Sequence, residues 1–104
     1  MLNENNFHLI IRSNKTIDQI AVAYKLAGWN IHIPDDYKGE LRVDHAAADL
    51  SVIQISEREI TICGCIENPM HNFKILFVPL FEAGLRKEEL SIDEQELQKL
   101  LNLL

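Results

Sequence analysis

The stretch from Leu50 to Ile66, LSVIQISEREITICGCI, holds two β-branched, apolar runs separated by four polar residues. Runs of that kind, bounded by polar residues, read as two strands folded back on each other. Placing Ile55 opposite Ile60 across the loop Ser56, Glu57, Arg58, Glu59 sets Ile53 opposite Ile62 and Ser51 opposite Gly64. Side chains alternate with period two along a strand, so this register gathers all four isoleucines on one face. The second face then carries Val52, Gln54, Ser56, Glu59, Thr61, Cys63 and Cys65, a mixture that suits a solvated or partly covered surface. The hairpin supplies a core face that other elements must cover.

Upstream, Phe7, Leu9 and Ile11 alternate with His8, Ile10 and Arg12, the pattern of a first strand. Thr16 and Gln19 have capping-box spacing, and Ile17, Ile20, Ala21, Tyr24 and Ala27 recur at three and four, so a helix is expected over 17–27 with Gly28 closing it. WNIHI and YKGELRV alternate again around Pro34, Asp35 and Asp36, which predicts two short strands joined by an acidic turn. Asp44–Asp49, with three successive alanines, is read as irregular.

Downstream, Asn68 as cap and Pro69 in the first helical position open a helix that presents Met70, Phe73, Phe77, Leu80 and Phe81 on one side. Pro79 lacks an amide hydrogen, so a kink or an end near Val78 is expected. Ser91 and Glu94 repeat the capping-box spacing ahead of Ile92, Leu97, Leu100, Leu101 and Leu104, which marks a final helix. Together these elements predict an α+β fold in one domain, 1–104, with a mostly antiparallel sheet built around the 50–66 hairpin and helices packed on one face.

Composition narrows the functional classes. Ten basic against sixteen acidic residues give a formal charge of −6, which repels phosphate backbones and anionic membranes. Lys15, Lys25, Lys38, Arg42 and Arg58 are dispersed, without the basic stripe of a nucleic-acid surface. The start, MLNENNFHLIIRSNK, has no signal-like apolar run, and Ile75–Phe81 is too short to span a bilayer, so a cytoplasmic location with reduced thiols is expected.

Four constellations bear on chemistry. Cys63, Cys65 and His71 are ligand types that zinc prefers, with His8, His32 or His45 available as a fourth, but the spacing departs from paired knuckles, and small core-filling thiols are the simpler account. His32, Asp35, Asp36, Asp44, His45 and Asp49 hold enough imidazole and carboxylate for a hydrolytic centre, yet match no fixed spacing. Cys63 has no base beside it in sequence, and the glycines stand singly, so neither a nucleophile elbow nor a phosphate loop can be drawn. Glu82–Glu96 carries a net charge of −4, the pattern of a wet helical face.

The expectation is therefore a non-enzyme without metal or cofactor: an acidic protein-binding module, of the inhibitor or toxin-immunity type, that masks a basic partner such as a nuclease toxin. Asp35, Asp36, Glu57, Glu59, Glu88 and Glu89 are the expected charge contacts, with Tyr37 as aromatic anchor. Two alternatives stand beside it. One is a small metal- or ligand-binding domain or enzyme using Cys63, Cys65 and histidines on the second hairpin face. The other is a module that pairs with itself through the leucine-rich C-terminal helix.

Overall fold

The computed structural model describes residues 6–104. The order is β1 (Phe7–Arg12), α1 (Ile17–Leu26), β2 (Asn30–His32), β3 (Glu40–His45), β4 (Ala48–Ser56), β5 (Glu59–Ile66), α2 (Pro69–Glu82), a 3-10 turn (Lys87–Glu89), β6 (Leu90–Ile92) and α3 (Gln95–Leu103). The strands form one sheet in the order β2-β3-β4-β5-β1-β6, antiparallel at every junction. The α+β fold with helices on the sheet is thus as the sequence implied. Met1–Asn5, where the reading of the amino terminus began, lies outside the described residues.

The helices pack on one face of this sheet. Phe7, Leu9 and Ile11 of β1, Leu41 and Val43 of β3, Leu50 and Val52 of β4, and Ile60, Ile62 and Ile66 of β5 are buried there. They join Ile20 and Tyr24 of α1, Phe73, Leu76, Phe77 and Leu80 of α2, and Leu97 and Leu101 of α3 in one core. Each such side chain sealed from water contributes about 1.5–3 kcal/mol, which is why the helices stay on that side. The Tyr24 hydroxyl reaches through this layer to donate to the Leu76 carbonyl at 2.8 Å, satisfying a buried polar group, and burial pushes its phenol pKa up.

The central hairpin is present, but its register differs by one residue from the expected one. Val52, not Ile53, sits opposite Ile62, and Leu50, not Ser51, opposite Gly64. Ser56 pairs with Glu59, so only Glu57 and Arg58 make the turn, and a bulge between Gln54 and Ser56 takes up the extra residue. A slip of one residue exchanges the faces. Leu50 and Val52 therefore enter the core, Ile53 moves to the opposite side, and Ile55 is 55% exposed. Gly64 permits the crossing: an added Cβ would lie 2.3 Å from the Asp49 carbonyl oxygen, and its φ of 151° is one that L-residues rarely adopt.

Local signals hold well at α1. Thr16 and Gln19 form the expected capping box, and Gly28, at φ 94°, closes the helix with its N–H on Lys25 O and the Trp29 N–H on Tyr24 O. Other expectations need correction. Asp44–Asp49 is regular: β3 and β4 meet across a two-residue turn at Ala46 and Ala47. Asn68 opens α2 without a side-chain cap, in the left-handed region at φ 45°. Pro79 neither ends nor shortens α2, which continues to Glu82, because the proline ring is itself buried against the core. Met70 is exposed, while Leu76 takes an inward position. Ser91 and Ile92 belong to β6, and α3 begins at Gln95 with the Glu94 side chain accepting from the Glu96 N–H. The pull on Leu90 and Ile92 is the inward face of β1, against which β6 pairs.

Candidate interaction surface

The side of the sheet away from the helices is uncovered among the described residues, and the strand pairing lays its side chains out in rows. One row reads Asn30, Asp44, Asp49, Cys65, and the next His32, Arg42, Ser51, Cys63, His8. A third reads Glu40, Ile53, Thr61, Ile10, Ser91, and Glu59 with Arg12 closes the end. Small residues, Ser51, Thr61 and Cys63, occupy the centre beside Ile10 and Ile53, while charged and imidazole groups lie at both margins.

Each margin carries a carboxylate-held histidine. At β2 and β3, His32 Nε2 lies 2.5 Å from Asp44 Oδ2, and the Asn30 amide donates to Asp44 Oδ1 at 2.9 Å. The Asn30 bond above all, then the His32 bond, holds the Asp44 carboxyl below the usual carboxylate range. Arg42 extends this cluster with Nε 3.0 Å from Asp49 Oδ1. At β1 and β6, His8 Nδ1 lies 2.6 Å from Asp93 Oδ2, beside a cavity of about 540 Å³.

With Glu40, Asp44, Asp49, Glu59 and Asp93 against Arg12 and Arg42, this face carries a net charge of −3 when its histidines are neutral, half of the chain's −6. Arg12 and Arg42 are both spent internally, on Glu59 at 3.6 Å and on Asp49.

The seven residues expected to contact a partner do lie at a single end of the sheet. Asp35, Asp36 and Tyr37 stand between β2 and β3, Glu57 in the β4–β5 turn, Glu59 at the start of β5, and Glu88 and Glu89 just before β6. The antiparallel pairing brings all of these connections to the end where Arg12 of β1 finishes. They do not make a carboxylate cluster, however. Residues 33–39, 57–58 and 86–89 hold five acids and four bases, a net charge of −1.

Glu89 is turned to its own backbone, accepting the Arg86 N–H at 2.9 Å; that bond chiefly, with help from Ser13 and the Arg86 guanidinium, holds its carboxyl low. Tyr37 is 40% exposed, and slight burial together with the nearby Asp18 carboxylate raises its phenol pKa.

Of the hydrolytic group, the fold joins His32, Asp44 and Asp49 through Arg42, but sends Asp35 and Asp36 to the far end. His45 belongs to the helix side, its ring 5.3 Å from that of Trp29. Cys63 and Cys65 are thiols on the uncovered side, whereas His71 rides on α2 across the sheet. Among the described residues no group of three or more His, Cys, Asp and Glu side chains is arranged to hold a metal ion.

The missed partner is Asp93, 85 positions from His8 and brought beside it only because β6 adds to the outer edge of β1. His32 and Asp44 were within reach of sequence, since alternation in two strands joined by a turn places them on one face. The leucines Leu97 and Leu101 of α3 are consumed by the chain's own core, leaving Leu103 and Leu104 exposed. No helix is long and apolar enough to cross a membrane among the described residues. Compared with known proteins, the chain matches no family model, no curated protein and no solved structure.

Proposed function

We propose that this chain is an acidic protein-binding module whose uncovered sheet face docks on a cationic protein, in the manner of an inhibitor or immunity protein that masks a basic enzyme such as a nuclease toxin. What supports the reading is one asymmetry: the helices seal one face, and the other carries half the net negative charge around a centre of small side chains. Carboxylates held on strands steer a cationic surface and cost little ordering on binding. Asp35, Asp36, Tyr37, Glu57 and Glu88 form the rim at one end, where Tyr37 supplies an aromatic contact.

Affinity capture from the source cells tests this, with the paired variant Glu40→Lys, Asp49→Lys run beside the parent and the melting temperatures of both recorded. The parent is expected to retain a basic protein at low salt and release it as salt rises, and the variant to retain at least tenfold less. Recovery of nothing by the parent, or equal recovery by a folded variant, overturns the reading.

A further inference from the structure

Directly across from Cys63 on the uncovered face stands His8, its register partner on β1. Cross-strand neighbours on one face hold their Cβ atoms about 4.5–5.5 Å apart, within reach of an imidazole and a thiol. Asp93 is tied to the same place by its own backbone N–H, which donates to the His8 carbonyl at 3.3 Å, and its carboxylate accepts from His8 Nδ1 at 2.6 Å. An Nδ1–H committed to a carboxylate leaves Nε2 as the basic nitrogen. His8, Cys63 and Asp93 line one open cavity of about 540 Å³, together with Asn6, Phe7 and Glu94. Nucleophile, base and the group that orients the base thus share one solvent-reachable space.

We propose that Cys63, His8 and Asp93 form a thiol–disulfide exchange site that takes up small cationic disulfides as mixed disulfides. Burial first, then the Glu40 carboxylate, raises the Cys63 pKa, which favours the thiol over the thiolate, so attack by the sulfur is helped by a base. In the step, the Cys63 proton passes to His8 Nε2 while Sγ attacks one sulfur of R–S–S–R. The new Cys63–S bond forms as the R–S–S–R bond breaks. The departing R–S⁻ takes the proton from Nε2 and leaves as R–SH. Cys63 is oxidised and one half of the small disulfide is reduced, so no other oxidant enters.

Charge selects the reagent: Asp93 and Glu94 border the cavity and Glu40 lies on the same face, which attracts ammonium groups and repels carboxylates. Cys65 projects to the same side but is 7% exposed and does not line this cavity. The site stands apart from the docking proposal, since it needs no protein partner.

The test follows adduct mass on the intact chain with cystamine, hydroxyethyl disulfide and oxidised glutathione, at pH 6 to 9. The expected order of rates is cystamine, then hydroxyethyl disulfide, then oxidised glutathione, with the adduct absent from Cys63→Ser and kept in Cys65→Ser. His8→Gln is expected to slow the cystamine reaction at neutral pH by about tenfold or more and to restore speed only at alkaline pH, where the thiol ionises unaided. Asp93→Asn should fall between His8→Gln and the parent. Equal neutral-pH rates for parent and His8→Gln, an adduct that persists in Cys63→Ser, or faster reaction with oxidised glutathione than with cystamine would each overturn the proposal.

Discussion

On β5, Ile60, Ile62 and Ile66 are sealed beneath the helices, while Thr61, Cys63 and Cys65, each one position along, belong to the side that no described helix covers. The same eight residues therefore face two surroundings, although Thr61 and Cys65 are buried on the second side as well. On the helix side, position is enforced by close packing, where a lost methylene or a misplaced charge is felt at once. On the bare side, spacing is inherited from the strands and side chains are held by ion pairs and hydrogen bonds, such as those of Asp44 and Asp93. Rigidity comes from one face and chemistry collects on the other. A surface made this way presents fixed charges without needing loops to order on contact.

The sharpest way to break the comparison is to put one charge on each side of β4. Val52→Lys buries an ammonium among apolar neighbours and is expected to cost more than about 4 kcal/mol, enough to abolish cooperative unfolding. Ile55→Lys is expected to stay within about 0.5 kcal/mol of the parent in urea denaturation, since the bulge leaves that side chain in water. The register with Ile55 opposite Ile60 requires the reverse order, so the pair decides between the two registers.

Gly64→Ala comes next, because the methyl would strike the Asp49 carbonyl and the Leu50 Cα in the middle of the sheet. A loss of about 2–4 kcal/mol is expected, read as a lower denaturation midpoint with unchanged slope. A loss under 0.5 kcal/mol would show that β4 and β5 do not approach as described.

The smallest effect belongs to the bare side. The Asp44 carboxyl is held below its ordinary range chiefly by Asn30 and His32, so its contribution to stability is present above the unfolded carboxylate range and is lost as pH falls through the folded value. Asp44→Asn should accordingly lower the melting temperature slightly at neutral pH, with the gap to the parent closing in acid. A gap that widens in acid would contradict the assigned bonds.

Much of the fold was legible because its signals are local. The Thr16–Gln19 box, Gly28 and the 17–24 apolar stripe act within one or two turns, so α1 follows from neighbours alone. Alternation in β1 likewise needs no knowledge of the rest of the chain. The β6 strand was missed because Leu90–Ile92 is only three residues long and precedes a stretch with helix-like spacing; its pairing with β1 outweighed that local preference. The early end expected at Pro79 does not occur for a related reason: its missing hydrogen bond is a local cost, whereas its burial is a tertiary gain.

The sequence by itself determined which residues favour helix or strand, the excess of carboxylates, and that a hairpin at 50–66 must present an apolar face to a cover of helices. Only the tertiary structure decided which apolar face that is, and which distant groups share the other one. Both registers of LSVIQISEREITICGCI satisfy period-two alternation, and what separates them is the fit of Leu50 and Val52 beneath the helices, a contact made far along the chain. The same holds for His8 and Asp93: nothing within a few residues of either names the other, and an added edge strand makes them neighbours.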